Sequence, residues 1–321
     1  MNKSFRGSKI IQPQKTISKH IDPEGIRTLV QYLKMYIAVD IGGTKTEIGF
    51  FKSKDLHSLV HTSLFPTSQK YEETKNNMVS EIKKNVKDLT KIKSVIISFP
   101  GVLSKDGEGV LQPSNIPDYT GKPLQNELKK TLASNVFVVQ DSTCSGVAEL
   151  IYGQVKDYSR IAHLIMGTGL GGTFIEVNGN KTMVSPIEPG GIIVNTENGR
   201  AHKFNKTKGI WEAYVGGGNV EDFYEINLAD LKDDDKLWDE VTDYLAVGIN
   251  NIACVLKPEI VVIGGGIGLK RRKALGSVIE KVKAYKEFVE PPVVKFTDVE
   301  GNSSLIGALA VNFVDNLTLN T

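Results

Sequence analysis

MYIAVDIGGTKTEIGFF, residues Met35 to Phe51, decides how this chain reads. An apolar run, YIAVD, ends in an aspartate and is followed by two glycines, a threonine and a second apolar run, TEIGFF. The pattern predicts two strands joined by a tight glycine turn. Glycines at Gly42 and Gly43 let a ligand approach the backbone, and successive N–H groups in such a turn form a concavity suited to a phosphate, with the Thr44 hydroxyl as a further donor. A carboxylate at Asp40 would repel a phosphate unless Mg²⁺ or water lay between them, so Asp40 points to metal-assisted phosphate handling.

A second turn of this design lies in IAHLIMGTGLGGTFIEVNGN, with Gly167, Thr168 and Gly169 at its centre. GTGLGG matches the dinucleotide fingerprint G-x-G-x-x-G in form only. The strand TFIEV follows it, where that fingerprint needs a helix N-terminus. No G-x-x-x-x-G-K-[ST] string is present either. One glycine turn alone would read as a tight hairpin; two of the same design favour a role in binding.

Outward from the first turn, a third strand is expected near HSLVHTSLF, then a helix over YEETKNNMVSEIKKNVKDL, the strand SVIISFPG, the helix PLQNELKKTLAS and the strand NVFVVQ. The second half repeats the plan after its glycine turn, with the helix DEVTDYLAVGINNIACVL, the strand EIVVIGGG, the helix KALGSVIEKVKAYK, the strand VVKF and a closing helix, SSLIGALAVNFV. Two such halves predict a duplicated α/β domain with a ligand cleft between the copies. Residues 1–34 read as an N-terminal extension, with Pro23 and Glu24 able to open a short helix.

Composition sets the outer bounds. The 321 residues suffice for two domains, and 7% aromatic and 24% charged residues describe a globular protein. A net charge of +2 gives no electrostatic case for a nucleic-acid partner, and KRRK at 270–273 reads as a solvated helix start. Cys144 and Cys254 stand in apolar surroundings, which fits buried thiols in a reducing compartment. With no apolar run of about 20 residues and no leader-like start, neither a membrane partner nor export is expected, and the cytoplasm is the expected location.

Together DIGGTKTEIGF, SFPGVL with QPSNIPDYTGKPL, VVQDSTCSGVAELIYGQ, IMGTGLGG, KGIWEAYVGGG, KPEIVVIGGGIG and SSLIGALA resemble the ordered motifs of the ROK family of sugar kinases and sugar-responsive repressors, from about Tyr36 to Phe313. The resemblance implies an actin-like, ribonuclease H-like α/β fold of two domains around an interdomain cleft that binds ATP and a hexose. It implies a first domain over 35–141, completed by a C-terminal helix over 304–318, and a second over 142–303. It assigns the ATP phosphates and Mg²⁺ to Asp40, Gly42, Gly43, Thr44, Gly167, Thr168 and Gly169, and the nucleoside to the neighbourhood of Gly264, Gly265 and Gly266. Asp141 becomes the catalytic base; read without the family it would be a helix N-cap. Asn115, Gln140, Glu188 and Glu212 become sugar ligands beside Asp141, and a homodimer is the expected assembly.

The chain also departs from the family pattern. Many members carry a structural zinc held by one histidine and three cysteines, and the corresponding positions here are Gly191, Lys203, Asn205 and Ile210. Those side chains lack imidazole and thiolate donors, so no zinc site is expected. Gln140 stands where the family usually has asparagine. The expected activity is ATP- and Mg²⁺-dependent phosphorylation of a hexose hydroxyl, the 6-hydroxyl of glucose or a related sugar. The alternatives are a binding protein without catalysis and a kinase that uses polyphosphate. A repressor would need a helix-turn-helix domain that residues 1–34 do not contain.

Overall fold

Both glycine turns open sheets of the same strand order. The computed structural model describes residues 34–104, 109–113, 116–132, 134–197 and 199–319; residues 1–33 of the extension and Asn115 lie outside them. Strands β1 (Met35–Ile41), β2 (Lys45–Phe51) and β3 (Leu59–Pro66) are antiparallel neighbours, while β4 (Ile92–Phe99) and a strand at Val136–Gln140 continue from β1 in parallel. Between those two, β5 (Gly101–Leu103) and β6 (Val110–Pro113) form a separate hairpin, so Val136–Gln140 is β7 and the first sheet has the order β3-β2-β1-β4-β7.

The second sheet uses β8 (Arg160–Met166), β9 (Leu170–Asn178), β10 (Lys181–Ile187), β11 (Ile260–Gly264), β12 (Val293–Phe296) and β13 (Leu317–Leu319). Its order, β12-β11-β8-β9-β10-β13, contains the same five-strand arrangement, with the first three antiparallel and the next two parallel. Antiparallel neighbours need only a turn, whereas parallel ones need a crossover, and α1 (Tyr71–Asn85) and α2 (Leu124–Leu132) supply crossovers in the first half.

Alternation along β1 sends Ile37, Val39 and Ile41 to one core with Met78, Ile82 and Leu128, and Ala38 to the opposite face. That opposite face meets two helices, α3 (Asp141–Tyr152) and the last helix, Ser303–Ala310, which also cover the inner face of the second sheet through Val147, Ala310, Ile161 and Val262. The pair therefore lies between the sheets. Its crossing is close enough that a Cβ on Gly307 would stand 1.7 Å from the Cys144 carbonyl oxygen, which explains a glycine there. Cys144 is buried and Cys254 half-buried.

Two expected elements change and a strand is added. The closing helix stops at Ala310, short of the anticipated residue 318. Asn312 Nδ2 takes the Leu309 carbonyl at 3.0 Å, Asn316 turns left-handed (φ 52°), and Leu317–Leu319 joins the second sheet beside β10. The helix expected over 273–286 is confined to Val278–Lys283, since Gly276 interrupts it and turns flank it. β10, KTMVSPI, is a further strand, and it tolerates a proline because Pro186 lies beyond the three residues that pair with β13, where its missing N–H costs no ladder bond. Side chains from KRRK are occupied structurally, Arg271 on the Leu228 and Ala229 carbonyls and Arg272 on the Thr297 carbonyl. Among the described residues no helix is long and apolar enough to cross a membrane.

Candidate active site

The inner face of the first sheet carries the acids. Asp40 shares the face of Ala38, opposite Glu47 on β2 and beside Ser98 on β4. Ser98 Oγ donates to Asp40 Oδ1 at 3.0 Å, and Asn302 Nδ2 donates to Asp40 Oδ2 and Glu47 Oε2, both at 3.0 Å. Burial pushes the Asp40 carboxyl above the ordinary range and the Glu47 charge adds to this, while the bonds from Asn302 and Ser98 oppose it. Two close carboxylates flanked by the Ser98 hydroxyl and the Asn302 amide are a set of oxygen donors that suits a hard divalent cation, so these residues fit Mg²⁺. Ser98, Asn302 and Glu47 were not singled out in the sequence. The signals were a serine inside the apolar run SVIISF and an asparagine in N-cap position; Asn302 Oδ1 does accept the Leu305 N–H at 3.1 Å.

Asp141 follows β7 and is the first residue of α3; Gln140 holds the N-cap position without a side-chain cap bond, so Asp141 is not the cap. Asp141 Oδ1 accepts the Ser142 N–H at 2.7 Å. Burial raises its carboxyl to about 7, against that backbone bond and with the charges of Asp40 and Glu188 assisting. The structure thus brings Asp40, Asp141 and Glu188 within one electrostatic neighbourhood. Gln140 Nε2 donates to Glu188 Oε1 at 3.0 Å, joining the end of the first sheet to the loop after β10.

The two turns share a plan but differ by one residue in length, the last ladder pairs being Ile41–Thr46 and Met166–Leu170. In each, the first glycine closes the hairpin, Gly42 N–H to Lys45 O at 2.9 Å and Gly167 N–H to Gly169 O at 3.0 Å. The next two amides, of Gly43 and Thr44 and of Thr168 and Gly169, have no hydrogen-bond partner among the described residues. That leaves two pairs of adjacent free donors, the arrangement of an anion nest. Gly264 ends β11, and Gly265 (φ 78°) packs so tightly on Met166 that a Cβ would lie 2.6 Å from its carbonyl oxygen, which sets the GGG turn beside the second nest. A cavity of about 240 Å³ lies between Gly265–Gly266 and Asn302–Ser304, with buried Glu149 and His163 on its wall.

The profile of the ROK family matches residues 36–312. This chain belongs to the ROK family. Among the relatives of this ROK protein, an N-acetyl-D-glucosamine kinase of Vibrio atlanticus is 26% identical over 73% of this chain and 84% of its own, and the N-acetylgalactosamine kinase AgaK of Shewanella sp. is 24% identical over 85% and 95%. A ROK family glucokinase from Streptomyces griseus, solved in complex with glucose and AMPPNP, superposes with a TM-score of 0.68 at 19% identity, covering 86% of this chain and 98% of its own. The ROK protein accordingly has the actin-like two-domain fold expected from its motifs.

In this ROK protein the family's zinc positions do other work. Lys203 pairs with Asp222 at 3.4 Å, Asn205 Oδ1 accepts the Thr207 N–H at 3.0 Å, and Ile210 is buried opposite Ile193. No imidazole or thiolate stands at any of the four, so the donor set does not fit zinc. A Cβ on Gly191 would meet nothing within 4 Å, so the surface is open there. Glu212 sits under the second turn, where Oε2 accepts the Leu170 N–H at 2.6 Å and Oε1 faces His202 Nε2 at 2.6 Å. This glutamate therefore braces the second glycine turn from below.

Proposed function

We propose that this ROK protein transfers the γ-phosphoryl group of ATP to a hydroxyl of a hexose or N-acetylhexosamine, with Asp141 as general base. The observation that carries the reading is the Asp141 carboxyl, raised to about 7 and set beside the Gln140–Glu188 pair. A base poised near neutral pH accepts a proton at little cost and is ionised enough to do so. As the sugar oxygen bonds to the γ-phosphorus, its O–H proton passes to the Asp141 carboxylate, and the bond to the ADP oxygen breaks. The free amides of Gly43, Thr44, Thr168 and Gly169 would hold phosphate oxygens, with Gly264, Gly265 and Gly266 towards the nucleoside. Mg²⁺ bound beside Asp40 would offset phosphate charge. Gln140, Glu188 and Glu212, with Asn115, would read sugar hydroxyls, and closure of the cleft would exclude water as a competing acceptor.

The open surface at Gly191 and the acetamido sugars of the named relatives support extending the substrate class beyond glucose. The test is ADP release from ATP and Mg²⁺ over glucose, mannose, N-acetylglucosamine, N-acetylgalactosamine and N-acetylmannosamine, with polyphosphate as an alternative donor. Sugar-dependent turnover that falls by about 10³-fold in Asp141→Ala, with ATP binding retained, is the expected result. Silence with every sugar and both donors would favour a binding protein instead.

A further inference from the structure

Both carboxylate oxygens of Glu212 are held, one by the Leu170 N–H and one by His202 from the loop that precedes the helix Glu212–Val215. Residues 199–211 fold back on the second sheet's helices through Arg200, whose guanidinium carbon lies 4.9 Å from the Tyr214 ring centre, 4.1 Å from that of Phe223 and 4.9 Å from that of Tyr224. Arg200 is also ion-paired with Glu240 and donates to Tyr224 Oη at 2.6 Å, while its backbone N–H donates to Tyr214 Oη at 2.9 Å. A guanidinium enclosed by three rings and a carboxylate is a strong anchor for a loop. Gly209 N–H to Arg200 O at 2.9 Å and His202 N–H to Thr207 O at 2.8 Å close the loop on itself.

That closure delivers His202, 6% exposed, to Glu212. Its Nδ1 accepts the Asn205 N–H at 3.3 Å, which assigns the ring proton to Nε2, and Nε2 donates to Glu212 Oε1 at 2.6 Å. The other carboxylate oxygen is fixed by Leu170 N–H. Gly169, Gly190 and Gly216 crowd the same side chain, since a Cβ on any of them would come within 2.6–3.1 Å of an oxygen, or within 2.8 Å of Cγ, of Glu212 or of a backbone oxygen beside it. A carboxylate held from two sides presents its remaining lone pairs in one direction, which is what reading a sugar hydroxyl requires.

We infer that His202 is a positioning residue for sugar recognition. It orients Glu212 from a loop pinned by Arg200, in place of the zinc that many ROK proteins use. The inference rests on the sugar-kinase reading, so its experiment separates the two. Sugar Kd by calorimetry and steady-state KM and kcat are measured on the full chain for wild type, His202→Ala, His202→Gln, which keeps an N–H donor, and His202→Leu, which keeps bulk without one.

His202→Ala and His202→Leu are expected to raise sugar Kd and KM by roughly tenfold while ATP KM and kcat change by less than about threefold, and His202→Gln to recover most of the loss. A zinc-selective chelator leaves the wild-type values unchanged. A lower Tm with unchanged sugar KM, or His202→Gln as weak as His202→Leu, overturns the inference, and these two variants decide it if His202→Ala does not fold. Wild type that binds a sugar without turnover sinks the kinase reading alone, with Kd still deciding His202. Wild type that binds none of the sugars sinks both.

Discussion

The two glycine turns use the same pair of free amides in different electrostatic settings. The first turn carries its own acid, because Asp40 ends the strand that enters it and meets Glu47 across β2. The second has no acid at the end of the strand that enters it, where β8 closes with Ile165 and Met166. The carboxylate beneath it, that of Glu212, comes from the short helix Glu212–Val215, more than forty residues later, and braces the turn by accepting the Leu170 N–H, while Gly217 and Gly218 N–H groups bond the Gly167 and Thr168 carbonyls at 2.8 Å. The first turn thus has two acids beside it and the second is braced from behind. The same pair of free amides occurs twice, and the segments packed around each turn give it its own charge.

The largest effect is expected at the helix crossing between the two sheets. Gly307→Ala puts a methyl 1.7 Å from the Cys144 carbonyl and should destabilise the chain by about 3 kcal/mol or more, read by urea unfolding; a change under about 1 kcal/mol would show that α3 and the last helix cross less tightly than described.

Asp141→Asn tests the floor between the turns. The folded carboxyl titrates at about 7, above the usual unfolded value of about 3.9, so the folded state holds the proton longer. Its contribution to stability is full below the unfolded pKa and is lost as pH rises through 7. The neutral asparagine escapes that loss. Asp141→Asn should therefore melt higher than wild type at pH 8, show a smaller gain at pH 4, and lose turnover. Turnover in wild type should rise with pH through about 7 as the base ionises; a flat profile from pH 5.5 to 8 would count against Asp141 as base.

Smaller effects separate the turns themselves. Gly169→Ala places a Cβ 2.6 Å from Glu212 Oε2 and should displace the brace, raising the KM for ATP by roughly tenfold with a modest loss of stability, on the order of 1–2 kcal/mol. Gly191→Ala, which meets open space, should leave stability within about 0.5 kcal/mol of wild type. Any change it causes in sugar preference would show that the space is used.

Much of this was legible in the chain. Alternation and glycine placement fixed β1, β2, β8 and β9, and the order of the motifs anticipated the actin-like halves. Asp40, Gln140, Asp141 and Glu188 were all named from sequence, and the structure brings them together; Asn115 lies outside the described residues. What escaped was set by distant partners. Ser98 and Asn302 become ligands of Asp40 only because β4 and the last helix converge on β1, 58 and 262 positions away in the chain. His202 meets Glu212 only because its loop closes on itself and is pinned through Arg200.

The sequence by itself determined the local elements, the two nests and the absence of zinc donors at the family positions, since each depends on residue type and spacing within a short stretch. Tertiary structure alone decided where the last helix ends, which acid braces which turn, and the raised carboxyl of Asp141. Those are consequences of burial and of contacts between segments remote in the chain, and burial is a property that no short stretch of sequence carries.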